Sequence, residues 1–117
     1  MIGKDLTLAI KLTTLTNVTI TTAGTAVQVS SSAIMVNAVF VQAHENNRGN
    51  VYIGDSNVSA TQGIAIGPGQ PFQYSGHPQI QLLGEFLLSD VWVDSAEDAD
   101  EVRVSYFKRK KYDAFTA

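Results

Sequence analysis

Apolar residues recur at every second position through most of this chain, a period that builds strands and does not build long helices. Leu6, Leu8, Ile10 and Leu12 alternate with Thr7, Ala9 and Lys11. Val18 and Ile20 alternate with Thr19 and Thr21, Val27 and Val29 flank Gln28, and Val102, Val104 and Tyr106 alternate with Arg103 and Ser105. Successive side chains on a strand point to opposite faces, so each run predicts a strand with one apolar face. No stretch of ten or more residues carries a helical period behind a capping residue. Residues 33–43 are the longest apolar stretch, and their β-branched Ile34, Val36, Val39 and Val41 predict a strand buried on both faces. Asn37 sits inside that stretch and needs a hydrogen-bond partner there.

Turn chemistry separates the strands. His44-Glu45-Asn46-Asn47-Arg48-Gly49-Asn50 is a polar turn, and Val51-Tyr52-Ile53 ends at Gly54-Asp55-Ser56. Gly54 is expected to leave the strand in a conformation costly for other residues, with Asp55 and Ser56 bonding nearby backbone amides. In Gly67-Pro68-Gly69 the proline presets one dihedral and a glycine supplies the next, which predicts a sharp reversal. Phe72 and Tyr74 form a short strand stopped by Ser75-Gly76-His77-Pro78. Residues 86–89 predict a strand or a single helical turn, Val91-Trp92-Val93 a strand, and residues 94–100 an acidic loop. The count reaches about eight to ten short strands at the spacing of a sandwich or barrel. The chain has 117 residues and no internal repeat. The expected architecture is therefore one all-β domain, a jelly-roll-like β-sandwich, with its core over residues 6–107 and a basic and aromatic tail over residues 108–117.

Composition removes several function classes. Cysteine is absent, which excludes disulfides, thiolate metal sites and a thiol nucleophile. The net charge of −3 supplies no overall basic field, so nucleic acid is not an expected partner. No run approaches the roughly 20 apolar residues of a membrane-spanning helix, and the opening Met1-Ile2-Gly3-Lys4-Asp5 has no basic region followed by an unbroken apolar run, so neither a membrane nor a secretion leader is expected. Charged residues are only 16% of the chain, below the usual quarter or so. Thr, Ser, Asn and Gln fill much of the rest, and a surface of small uncharged polar groups loses its water cheaply. Such a surface suits permanent contacts between subunits.

His44 and His77 are the only histidines, each in a polar turn. A dyad of His44 with Glu45 is conceivable, yet adjacent strand residues point apart. No nucleophile elbow, metal-type histidine pair or phosphate-binding loop is present. The expectation is a protein that is not an enzyme and that uses no catalytic residue, metal or cofactor. Asp94, Glu97, Asp98, Asp100 and Glu101 miss the calcium-loop spacing and its glycine, so they read first as a solvated hairpin tip, with metal binding or pairing with a basic partner as the alternatives. Lys108-Arg109-Lys110-Lys111 follows the last predicted strand. It reads as a solvated strand end, as a contact for an acidic surface on a neighbouring subunit or shell, or, least favoured in an acidic protein, as a contact for nucleic-acid phosphates. Tyr112 and Phe115 either fill pockets on a partner or pack back on their own sheet. Trp92 faces outward, as an interface anchor, if Val91 and Val93 face the core, and is ordinary core if it faces inward. The candidate interaction residues are thus Trp92, Lys108, Arg109, Lys110, Lys111, Tyr112 and Phe115.

One segment carries more than a strand pattern. Val51-Tyr52-Ile53-Gly54-Asp55-Ser56, a variable turn, Gly63-Ile64-Ala65-Ile66 and Gly67-Pro68-Gly69-Gln70-Pro71-Phe72 resemble a recurring element of small virion proteins of tailed bacteriophages. Leu88-Ser89-Asp90-Val91-Trp92-Val93-Asp94 with Glu101-Val102-Arg103-Val104-Ser105-Tyr106 resembles its closing half. The resemblance spans residues 51–106, about half of the chain. It implies a jelly-roll or sandwich module of a virion, used as a head decoration (cement) protein, a fibre base or a similar accessory, and carries no catalytic residues. By that analogy the expected partners are copies of the chain itself, as a homotrimer, and the major capsid protein or other virion proteins, with assembly in the host cytoplasm. Two alternatives stay open. One is a head–tail or tail connector, which predicts a ring of higher order than three. The other is a carbohydrate-binding adhesion module using Tyr52, Tyr74 and Trp92.

Overall fold

The computed structural model describes residues 8–69, 71–75 and 85–111. Eleven strands appear among them: β1 (Leu8–Thr14), β2 (Val18–Ile20), β3 (Val27–Gln28), β4 (Met35–Val36), β5 (Ala38–Ala43), β6 (Val51–Gly54), β7 (Ile64–Ile66), β8 (Pro71–Ser75), β9 (Phe86–Leu87), β10 (Trp92–Ser95) and β11 (Asp100–Lys111). A single 3-10 turn, Leu88–Asp90, separates β9 from β10. Residues 86–89, expected as strand or helical turn, are thus one followed by the other.

All pairings are antiparallel. One sheet runs β1–β11–β5–β8, with β2 also on β11; the second runs β3–β10–β6–β7; β4 and β9 pair alone. If β1 and β2 count as one strand, the partners nest. First pairs with last, β3 with β10, β4 with β9, β5 with β8, and β6 with β7. A long ribbon folded at β6–β7 and wrapped into two facing sheets gives this order, which is that of a jelly roll. The all-β sandwich expected from the alternation is therefore present. Its core is made by inward residues of both sheets, among them Ile20, Val39, Val41 and Val104 from one and Val51, Ile53 and Val93 from the other, with Leu88 fully buried beside them.

β1 and β2 are joined across a bulge. Thr14 pairs with Ser105 and Val18 with Val102, so three residues oppose two. An extra residue reverses which side chains face the core. The even-numbered positions face inward in β2, where Ile20 is fully buried, and outward in β1, where Leu12 is 55% exposed. The sequence gives no sign of this switch, because the apolar residues stay on even numbers throughout.

The stretch over residues 33–43 is not one strand buried on both faces. Asn37 interrupts it: its backbone N–H donates to the Phe107 carbonyl at 2.8 Å, while its buried Oδ1 has no hydrogen-bond partner. Met35 is half exposed, and β5 alternates normally, with Val39, Val41 and Ala43 buried and Phe40 and Gln42 partly exposed.

Of the two glycine turns expected, the one at Gly69 is as read and the one at Gly54 is not. Gly69 has φ of 80°, as the proline-glycine reversal requires, and its N–H donates to Ala43 O at 2.9 Å. Gly54 has no left-handed backbone; its role is room, because an added Cβ would lie 3.2 Å from Val58 Cβ and Cγ2. The costly conformation belongs to Gly63, at φ 130°, where a Cβ would meet Val58 Cγ2 at 2.7 Å and Ile53 O at 2.8 Å. Asp55 does hold the turn, accepting from the Asn57 amide at 2.9 Å.

Candidate interaction surfaces

The outer face of the β1–β11–β5 sheet carries an apolar strip. Leu12 lies directly opposite Phe107 across the β1–β11 ladder. Phe107 meets Phe40 of β5 edge to face, with ring centroids 5.5 Å apart and planes at 79°. Cross-strand aromatic contacts of this kind stiffen a sheet face. Beside the strip a groove of about 300 Å³ is lined by Thr14, Leu15, Asn17, Phe40, Gln42, Arg103 and Ser105. At its far end Arg103 Nη2 contacts Glu45 Oε1 and Oε2, both at 3.1 Å. The Glu45 carboxyl is held below its ordinary range, first by its own backbone N–H, with the Arg103 guanidinium adding to the depression and desolvation opposing it.

The strip leads into a two-stranded ribbon. β5 pairs with β11 only from Val102 to Phe107, whereas β1 continues alongside β11 to Lys111. Beyond Phe107 the register sets Lys11 opposite Lys108, Ile10 opposite Arg109, Ala9 opposite Lys110 and Leu8 opposite Lys111. The basic run was expected after the final strand and in a tail. It is instead part of the final strand, which continues through Lys111 because β1 supplies the ladder that β5 no longer does. Lys108 is exposed. Tyr112 and Phe115 lie outside the described residues, as does His77.

Trp92 belongs to the other sheet. Val91 and Val93 both join the core, so Trp92 faces outward, half-buried, opposite Gln28 of β3 and Gly54 of β6. Gly54 has no side chain to cover the indole. Tyr52 pairs with Asp94 and is therefore the diagonal neighbour of Trp92 on the same face. Tyr74 is on β8 in the opposite sheet, so the three aromatics named for sugar binding do not share one platform.

The acidic loop is not a solvated tip throughout. Asp94 and Asp100 are buried, at 1% and 4% exposure. Asp94 Oδ1 accepts from the Gly24 and Ser95 amides at 2.9 and 2.8 Å. Asp100 accepts from the Arg48 amide at 3.1 Å and the Gly49 amide at 3.0 Å, one on each oxygen. Asp98 accepts from the Ala23 amide at 2.8 Å. Two loops from distant parts of the chain are thus tied to residues 94–100 by carboxylates that replace missing ladder partners. Asn47 adds a further tie, exchanging two 2.8 Å bonds with the backbone of Glu101. The signal for Asp100 was available: it shares the inward parity of Val102, Val104 and Tyr106, and an acid on that side of a strand must find donors.

His44 Nδ1 accepts from the Asn46 amide at 3.0 Å and lies 3.7 Å from Glu45 Oε1. In that arrangement the ring nitrogen facing the carboxylate carries no proton, so Glu45 does not orient His44 as a base. Among the described residues, no group of three or more His, Asp or Glu side chains is placed to hold a metal ion, and no helix is long and apolar enough to cross a membrane. A mostly apolar cleft of about 370 Å³ opens between the sheets, lined by Val39, Ile53, Ile64, Phe86 and Val91, with Asp55 and Asp90 at its edge. The Asp55 carboxylate is already engaged by Asn57.

The sequence matches no known protein-family model and no curated protein. Among the described residues, the apolar strip with its basic ribbon is the most distinctive surface.

Proposed function

We propose that the protein is a structural component of a bacteriophage virion, a decoration or cement protein that binds the assembled head as a homotrimer and stabilises it. One observation carries this reading: the Leu12–Phe107–Phe40 strip runs along an outer sheet face into a basic ribbon that leaves the sandwich. Apolar rows flanked by charge are what a protein presents to another protein, the apolar part holding and the charge orienting. The likeness of residues 51–106 to small tailed-phage virion proteins points to the shell as that partner. A ligand that binds only the assembled shell shifts its equilibrium away from disassembly, and three linked copies engaging three shell subunits make modest contacts add through effective concentration.

The test is addition of purified protein to heads that lack it, followed by calorimetry. The expected result is saturable binding and a higher melting temperature of the shell. Binding without a rise removes the cementing role, and no binding moves the protein to a fibre, tail or connector position.

A second reading, a carbohydrate-binding module, is favoured by the adjacency of Tyr52 and Trp92 on one face. Titration with host surface glycans should then shift the tryptophan fluorescence, and an unchanged spectrum removes this reading.

A further inference from the structure

We infer that the β1–β11 ribbon is an arm between copies of this chain, and that it lies against the acidic loop end of a second copy. The argument starts from where the charges are. Residues 8–11 and 108–111 hold five of the eight lysines and arginines and no acid. Residues 12–107 hold nine carboxylates against two arginines, a net charge of −7. A chain with an overall charge of only −3 is therefore strongly divided, with a cationic ribbon on an anionic body.

The ribbon needs a cover. Within the described residues it is two strands with no third strand beyond Phe107, and an isolated two-stranded ribbon is marginal in water. The register sets Lys11 opposite Lys108 across its ladder. Its open edges invite another chain.

The body's own acids do not serve. Glu97, Asp98 and Glu101 sit at the opposite end of β11, and eleven strand steps separate Asp100 from Lys111 by roughly 37 Å. At physiological salt the Debye length is about 8 Å, so the two ends of one molecule are screened from each other. In a second copy the same acids can meet the ribbon directly. Ribbon against ribbon would place five cations on five cations, so the contact joins unlike surfaces. A heterologous contact of that kind closes into a ring or continues as a filament, and a three-membered ring is the smallest that fits the trimer proposed above. The inference goes beyond shell binding and is measured without shells.

The experiment is light scattering on the purified full chain, with the triple variant Lys108→Glu, Arg109→Glu, Lys110→Glu beside the unaltered protein. The expected result is an oligomer for the unaltered chain, dissociating as salt rises from about 0.05 to 0.5 M, and self-association at least about 100-fold weaker for the variant. Mixing the two should restore hetero-assembly, because the variant keeps an intact acidic end to receive an unaltered ribbon. If circular dichroism shows that the reversal unfolds the chain, the neutral set Lys108→Gln, Arg109→Gln, Lys110→Gln replaces it, with the same expectation. A monomeric unaltered protein at about 100 μM overturns the inference. So does a variant that assembles normally, or a ribbon that binds duplex DNA while the protein stays monomeric.

Discussion

Replacing Asp100 with alanine removes the buried carboxylate that accepts from the backbone of the loop of residues 44–50 at the start of β11. Two backbone donors, Arg48 N and Gly49 N, lose their acceptor. Hydrogen bonds to a charged group contribute about 1.5–3 kcal/mol each. Both amides are only partly buried, so water recovers some of the loss and the lower figure applies, about 3 kcal/mol for the pair. Unfolding entropy near 2.1 cal/mol/K per residue gives about 0.25 kcal/mol/K for 117 residues. The melting midpoint should then fall by about 12 °C. Asp100→Asn keeps one acceptor oxygen and turns an NH2 toward the other donor, so it should fall by somewhat less. Calorimetry at neutral pH, with urea unfolding to check that the m-value is unchanged, measures both. A drop under about 3 °C for the alanine variant, with cooperative unfolding intact, would show that these bonds are not what fixes the loop.

Gly63→Ala should cost at least about 2 kcal/mol in urea unfolding, since its Cβ would meet Ile53 O at 2.8 Å on a backbone at φ 130°. Ala99 sits at φ 66°, where an L-residue costs about 1–2 kcal/mol and glycine's extra entropy returns about 0.5–1 of it. Ala99→Gly should therefore raise stability by about 0.5–1 kcal/mol, and a loss would mean the Ala99 methyl packs usefully. The depressed Glu45 carboxyl favours the folded state above its ordinary range, and that contribution disappears as pH falls through the folded value. NMR titration of the side-chain carboxyl should show the depression, and Arg103→Gln should relieve only part of it, because the backbone N–H is the first cause.

The alternation in the sequence made the fold class legible, because a period of two is a local property of the backbone. It did not reveal which face is the inner one in β1. Leu12 and Ile20 are both apolar and both even-numbered, and only the bulge between Thr14 and Val18 sends one to solvent and the other to the core. The Pro68-Gly69 turn was readable because two residues determine it. The acidic loop was misread because its donors, the amides of Ala23, Gly24, Arg48 and Gly49, are brought to it by topology and not by neighbourhood in sequence. Trp92 could be placed once its flanking valines were. The basic run was identified as a feature, but its strand character depends on β1, about a hundred residues earlier in the chain.

The nested pairing also constrains how the molecule is made. β11 lies between β1 and β5, and β10 lies between β3 and β6; the last two of the described strands in chain order are interior members of the two sheets. Until they are made, the described part of the chain offers only the β4–β9, β5–β8 and β6–β7 ladders, with their inward valines uncovered. Contacts between distant positions of this kind form slowly and all together. A chain interrupted before β10 should be a target for chaperones and proteases and not a stable fragment, so unfinished copies have no folded surface with which to enter and spoil a growing assembly.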